Sequence, residues 1–598
     1  MTTNLNFENA YGIFNPFTLL ELNIDKISAI IRDKPNWETK IEDINIRNNW
    51  RKELLSTTEL QNSDIDYIFD ELQYYKLSND GLIQRSSVRK TWKADDYIPE
   101  ILRRQFIDEV NKLKASKSID YHPWSKNQVI DIIHPSLYPI VNNVSKITHH
   151  KLNLKNCGDI FDKSEIKTVK FEKLNIANNN LDDSEILNMS SKKFQWMPAE
   201  YDLKTTKFVS YINNLSVQNI TLYDILNKIF SLCLPLLNRT LNDIIEVETV
   251  FGNEKHFLLD DSKYITSHKI SQNITWYEVD EKGETYEFPF DENFLLNESL
   301  INYYEKETNR QLYKDLDQDI IYYFGDTKPK EWKKFITAFE KFIVNKFHEI
   351  HNIDISHNPD FICGLDSCKR IKVYKPITIG KYIPPSAKNY VFEDVLSKYN
   401  NLQVIVKIAD IYLKPGDSEF VSNWHIEGVY NEHIVATCIY YYRSENIKGD
   451  ELSFRLGVDE PENYEQYDWT GVEKVYGLKQ NEQSNQILGK ISTKQGRLIC
   501  FPNIYQHKAM NVALNDTAKP GIRRLLVFFV IDPNHRIISS ENIPVQQKEF
   551  YDSDKNNVQI VKESDALKYR LELMEERKYI IDQTNDEFYE REVSLCEH

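Results

Sequence analysis

Apolar positions recur at helical spacing through residues 17–33 (FTLLELNIDKISAIIRD), and the same three-to-four-residue period returns at 40–55, 64–76 and 97–115. A stripe of this kind lets a helix cover a core with one face. The pattern predicts a helical N-terminal unit over 12–115. Between 116 and 400 the reading is mixed. LYDILNKIFSLCLPLLNRTLNDII predicts a long helix interrupted by proline, and 273–290 reads as strand. A polar stretch near 149–193, rich in Asn, Lys, Asp and Ser, reads as a surface insertion.

After about residue 400 the period changes. The runs VIVKIADIYL, IVATCIYYYR, ELSFRL, GRLICFP and RRLLVFFVI are short, β-branched and aromatic, and are separated by turn signals such as PGD and KPG. Strands spaced this way predict antiparallel pairing into a sandwich or barrel over 401–546. In the tail at 547–598, SDALKYRLELMEERKYIID puts Leu567, Leu571, Met574 and Ile581 near one helical face, with Ser564 as a cap. That segment is expected to be a docking helix, and the fold class is α+β.

Composition adds limits. A chain of 598 residues buries a sizeable core without difficulty, and 41% hydrophobic with 28% charged residues describes a folded globular protein. A formal charge of −17 opposes a nucleic-acid or anionic-membrane partner, because neutralising phosphates needs a basic face. Apolar runs such as LLVFFVI are too short to span a bilayer, and the start MTTNLNFENAYGIF lacks a basic segment followed by an apolar one. An intracellular location, cytoplasmic or nuclear, is expected. Seven cysteines, with Cys363 and Cys368 in CGLDSC lacking a second half, read as reduced thiols.

The stretch SNWHIEGVYNEHIVATCIYYY holds two histidines and two glutamates within nine positions. Residues i and i+2 of a strand share a face, so His425 and Glu427 of WHIEG emerge side by side. A third ligand must come from another strand, and His507 in GRLICFPNIYQHKAMNV is the candidate. Two histidines and a carboxylate on one face of a metal leave other positions open, as in non-haem Fe(II) oxygenases. Such enzymes commonly take 2-oxoglutarate, whose distal carboxylate needs a fixed cation. KPGIRRLLVFFVIDP supplies Arg523 and Arg524, only one of which can face inward. His433 reads as a structural histidine and Glu432 as a solvated turn residue. In KFHEIHNIDISH, His348 and His351 stand at i and i+3, not the i and i+4 of a zinc-protease helix. YHPWSKNQVIDIIHPSLYP reads as a packed loop. Trp424, Tyr440, Tyr442 and Arg455 are weighed as pocket residues against a plain packing role.

Ordered blocks along the chain resemble a fungal family catalogued as domain of unknown function 4246. IRDKPNWETKIEDINIRNNWRKEL and DIDYIFDELQYY are similar to its N-terminal part. HPSLYPIVNN, FQWMPAEYDL and SYINNL resemble its central blocks. WHIEGVYNEHIVATCIYYYRSENI, LSFR, GRLICFPNIYQHKAMNV, KPGIRRLLVFFVIDPNHRIIS and ELMEERK resemble its C-terminal part. The core of that family looks like the prolyl-hydroxylase-type double-stranded β-helix, or jelly-roll. The resemblance implies His425, Glu427 and His507 for Fe(II) and Arg523, ahead of Arg524, for 2-oxoglutarate, with Glu427 standing where most of the wider superfamily has Asp. It implies an oxygenase acting on a small-molecule or protein substrate. Two rivals keep the same residues: a non-enzymatic binding or regulatory protein on a degenerate jelly-roll, and a zinc hydrolase, since His2Glu also serves catalytic zinc.

Overall fold

The computed structural model describes residues 5–171, 188–245, 394–461 and 469–592, apart from 13, 79–80, 117, 163, 450 and 552–558, together with short stretches between 247 and 382. Its labelled helices are α1 (Leu19–Arg32), α2 (Ile44–Thr57), α3 (Asn62–Ser78), α4 (Glu100–Ala115), α5 (Ile220–Asn242) and α6 (Glu563–Thr584). The strands that build the core are β1 (Ile83–Arg85), β2 (Trp92–Asp95), β3 (Val129–Ile133), β4 (Asn401–Leu413), β5 (Ile434–Glu445), β6 (Glu451–Gly457), β7 (Asn485–Ser492), β8 (Arg497–Pro502), β9 (Gln506–Met510) and β10 (Gly521–Ile531). Helix and antiparallel sheet are thus mixed, as the α+β reading expects.

Local chemistry sets the N-terminal helices. Thr18 caps α1, its hydroxyl accepting from the Glu21 N–H while the Glu21 carboxylate accepts from the Thr18 N–H. The segment read as wholly helical also carries β1 and β2. Trp92 and Ala94 are fully buried where β2 pairs with β8, so tertiary pairing claims a stretch too short to show a period of its own.

The main sheet runs β1–β2–β8–β5–β10–β4–β3, and every pairing along it is antiparallel. Alternation divides its residues between two faces. One face meets the helices: Phe528 packs on Phe230 of α5 and Tyr442 on Phe106 of α4, each with ring centroids 4.8 Å apart. On this face Asp410, fully buried, is held by Lys114 of α4 and by Arg524. The other face meets a three-stranded sheet, β7–β6–β9, where Phe501 of β8 lies 5.1 Å from Phe454 of β6 and 5.0 Å from the ring of His507 on β9.

Among the described residues α5 is long and apolar enough to cross a membrane, contrary to the reading of the apolar runs. Here Leu226, Phe230, Cys233, Leu237 and Leu241 along it are fully buried in the core. The four described cysteines, Cys157, Cys233, Cys438 and Cys500, are free thiols; Cys363 and Cys368 lie outside the described residues. The final helix differs from its predicted face. Leu567 and Leu571 are 44% and 47% exposed, while the buried side is Ala566, Arg570, Leu573, Arg577, Ile580 and Thr584. Arg570 and Arg577 dock on buried carboxylates, so the helix is oriented by charge as well as by apolar area. It begins at Glu563 after Lys562, with Ser564 inside its first turn.

Candidate metal centre

The segment that follows β4 returns across the small sheet and makes an isolated antiparallel bridge from His425 to His507. The His507 N–H donates to the His425 carbonyl at 3.0 Å, and the His425 N–H to the His507 carbonyl at 3.3 Å. Pairing of the two backbones brings the imidazoles together, with centroids 4.4 Å apart, and Glu427 follows two residues later on the same side. Glu427 Oε1 stands 3.3 Å from His507 Nε2 and 3.8 Å from His425 Nε2. One donor atom from each of the three lies within 4.8 Å of the others.

The backbone that carries Glu427 is held by Asn503. Asn503 accepts from the Glu427 N–H at 2.9 Å and donates to the Glu427 carbonyl at 2.9 Å and the Ile434 carbonyl at 3.0 Å, clamping the segment after the ligands to the start of β5. Gly428 takes φ +74°, which lets the chain turn away at once. Glu432, read as a solvated turn residue, is instead fully buried. Its oxygens accept from the Trp196 N–H at 2.6 Å and the Val429 N–H at 3.1 Å, and it pairs with Arg577 of α6. Burying a carboxylate requires this many donors, and its cation comes from a remote helix. His433, in a left-handed conformation, stacks on His535 at 4.8 Å and is not part of the group of His425, Glu427 and His507.

Electrostatics prepares the three groups. Burial lowers His425 to about 4, assisted by the neighbouring His507, so its ring is neutral at neutral pH. Its Nδ1–H donates to the Asn423 carbonyl at 2.8 Å, which leaves the Nε2 lone pair facing Glu427. Burial works to raise Glu427, but the hydrogen bond from His507 and the charges of His425, His507 and Lys407 hold it at about 2. His507 Nδ1 is buried and makes no hydrogen bond, so the tautomer of that ring is free to follow what Nε2 faces. A neutral imidazole, an adaptable one and an ionised carboxylate form a donor set suited to a divalent metal.

Arg523 and Arg524 divide as strand alternation requires. Arg524 is on the helix face with Asp410 and Asn111. Arg523 is on the opposite, inward face, 2% exposed and 5.3 Å from the ring centroid of Tyr441. Tyr440 and Tyr442 share the helix face of Arg524 and leave the interior, while Trp424 lies outside over Arg455, which pairs with Glu590. A cavity of about 740 Å³ opens beside Glu427, bounded also by Tyr430, His433, Asn503 and Asp532. His348 and His351 lie outside the described residues.

A second group, His122, Asp131 and His134, has metal-like spacing within the segment read as a packed loop. Several of its donor atoms are engaged, although Asp131 Oδ1 makes no hydrogen bond among the described residues. Asp131 pairs with Arg570 of α6 and hydrogen-bonds His122 at 2.8 Å, and His134 Nδ1 accepts from the Ser136 N–H. With Nδ1 occupied, the neutral His134 ring carries its proton on Nε2 and offers no lone pair to a metal. The Arg570 guanidinium already supplies Asp131 with a cation.

Comparison with known proteins gives a family described only as "Protein of unknown function (DUF4246)", matched over residues 62–554, and its N-terminal domain, matched over residues 4–53. No curated protein matches the chain. Among solved structures, an Fe(II)/(alpha)ketoglutarate-dependent dioxygenase named TqaL is 12% identical, covering 41% of this chain and 81% of that one, with a TM-score of 0.16. A prolyl hydroxylase from Trichoplax adhaerens, solved with a peptide of hypoxia inducible factor, is 11% identical over 45% of this chain and 90% of that one, with a TM-score of 0.14. A 2OG-Fe(II) oxygenase family protein from Burkholderia pseudomallei is 10% identical over 23% and 47%, with a TM-score of 0.14. Likenesses this weak carry no functional argument; the residues must carry it.

Proposed function

The chain belongs to the DUF4246 family, and we propose that it is an Fe(II)- and 2-oxoglutarate-dependent oxygenase of hydroxylase type, built on a double-stranded β-helix core. The observation that carries this reading is the meeting of His425, Glu427 and His507 at one point, on the side of the main sheet toward which Arg523 also faces. In this reading the two imidazole Nε2 atoms and the Glu427 carboxylate hold the metal, and Arg523 holds the distal carboxylate of the co-substrate through its planar guanidinium. Bound there, Fe(II) would couple decarboxylation of 2-oxoglutarate by O2, to succinate and CO2, to hydroxylation of a substrate C–H bond.

The chain's own part is placement and exclusion of water. Asn503 fixes the backbone on which Glu427 rides, the bridge between His425 and His507 fixes the spacing of the rings, and Phe454 and Phe501 wall the His507 side. Arg523 is what favours an oxygenase over a zinc hydrolase, since it is a buried guanidinium on the same side of the main sheet as the triad and a zinc hydrolase does not require one. The test is anaerobic binding of 2-oxoglutarate to the Fe(II)-loaded protein, followed by succinate formation in air. Wild type should bind and turn over 2-oxoglutarate, even slowly and without its substrate, and His425→Ala should do neither. Metal binding without any 2-oxoglutarate binding would overturn the oxygenase reading in favour of a binding protein or a zinc site.

A further inference from the structure

The residues that alternate with the three ligands have partners of their own. On an extended chain the neighbours of an inward-facing residue point outward. Trp424 and Ile426, beside His425 and Glu427, and Gln506, beside His507, therefore belong to the outer side of the small sheet. Cross-strand register puts Arg455 of β6 opposite Gln506, one position from the pair of Phe454 and His507. Arg455 Nε donates to Gln506 Oε1 at 2.7 Å, its Cζ lies 4.9 Å from the Trp424 ring centroid, and a terminal nitrogen pairs with Glu590 at 2.7 Å. One guanidinium, 3% exposed, thus joins the residue that precedes each histidine.

Beyond α6 the chain continues through a wide helical turn, Asn585–Tyr589, against β6. Gly457 lets it sit directly on that strand, since a Cβ there would collide with the Phe588 carbonyl oxygen. Asn585 accepts from Gln506 Nε2, so with Arg455 on Oε1 both ends of the Gln506 amide are held. The Tyr589 hydroxyl lies 3.2 Å from the Ile504 carbonyl, on the connection from β8 to β9, and its ring shares a buried apolar cluster with Ile426. The outer neighbours of all three ligands are therefore tied, directly or through Arg455, to residues 585–590. His425 and His507 meet at an isolated bridge, not a continuous ladder, so their spacing depends on such side-chain ties as well as on backbone pairing.

Resting on the reading of His425, Glu427 and His507 as metal ligands, we propose that residues 585–590 form a strap that sets the metal centre from the outer side of the small sheet, with Arg455 as the positioning residue that fixes the two histidines relative to each other. Docked, the strap holds the spacing of the imidazoles before a metal arrives. Released, it leaves that spacing to the backbone bridge alone, and metal affinity falls.

Titration of the full chain with Co(II), read by its visible d–d absorption and by competition with a chelator, tests this. Arg455→Met keeps apolar bulk but loses the ties to Gln506, Trp424 and Glu590, and should weaken Co(II) about 10–100-fold and shift its bands. Glu590→Ala, at a side chain 31% exposed and so tolerated by the fold, should shift the bands the same way and weaken Co(II) several-fold. Arg591→Met removes a pair with Asp459 in the adjoining residue, and should leave affinity within about twofold and the bands unmoved. Wild-type affinity and bands in either Arg455→Met or Glu590→Ala, or an equal change in Arg591→Met, overturns the inference while leaving the metal-centre reading intact. Should Arg455→Met fail to fold, Glu590→Ala decides. Wild type that takes up no Co(II), or whose bands survive His425→Ala, overturns the metal-centre reading, and this inference with it.

Discussion

Replacing Arg577 with methionine gives a direct measure of what α6 contributes to the stability of the fold around the candidate metal centre. Glu432 is fully buried and keeps two backbone donors, from Trp196 and Val429, when the guanidinium is gone. Removing one partner of a buried pair costs about 3–5 kcal/mol, and the two remaining donors place the electrostatic part near the lower end, about 3 kcal/mol. The guanidinium also lies 3.8 Å from the Trp196 ring centroid. Losing that desolvated cation–π contact adds about 1 kcal/mol, since methionine restores packing but not charge. The expected loss is about 4 kcal/mol, a large share of the stability of an ordinary domain. Urea unfolding followed by tryptophan fluorescence reads it, and a double-mutant cycle with Glu432→Gln separates the pair from general damage. The double variant should cost about 2 kcal/mol less than the two singles together. Additivity within about 0.5 kcal/mol, or a loss below about 1 kcal/mol in Arg577→Met, would refute the reasoning.

Asn503→Ala should weaken Mn(II) binding by about 10–100-fold, because the three bonds that hold Glu427 and the start of β5 are lost; calorimetric titration reads the change. Gly428→Ala should destabilise the fold by at least about 1–2 kcal/mol, the cost of a left-handed backbone for a residue with Cβ. The added carbon would also lie 2.7 Å from Ile434 Cδ1 and 2.9 Å from Glu432 Oε2, so the melting temperature and Mn(II) affinity should fall together. Asp95 supplies a pH signature. Burial acts to raise its pKa, but Arg497, bound through two nitrogens, and Lys494 outweigh it and hold the carboxyl at about 2, below its ordinary 3.8. A depressed carboxyl stabilises the fold fully above its unfolded pKa and loses that contribution as pH falls toward the folded one. The urea-midpoint gap between wild type and Asp95→Asn should be constant from pH 7 to about pH 5 and roughly halved by pH 3. A gap that widens on acidification would contradict the assignment.

Periodicity carried most of the architecture. The helical stripes at 17–33 and 97–115 and the apolar runs after residue 400 form elements where expected because those segments bury a face, and burial leaves a period in the sequence. The triad was legible for a related reason: i and i+2 on an extended chain fix the relation of His425 to Glu427 before any tertiary contact is known. Tertiary charge pairing left no such trace. Glu432 looks like any turn carboxylate until Arg577, 145 residues later, is placed against it. The face of Leu567, Leu571, Met574 and Ile581 expected from periodicity takes no account of Arg570 and Arg577, which are on the buried side of α6.

The two arginines of α6 also impose an order in time. A ribosome releases Asp131, the triad and Glu432 well before it releases residues 570 and 577. Until then two carboxylates destined for the interior have no guanidinium to neutralise them, so closing the core around them is opposed by their desolvation. The nascent chain can form its separate strands and helices, but the pocket around the candidate metal centre should reach final form only when α6 docks. Maturation of the candidate centre is in this sense gated by the emergence of α6.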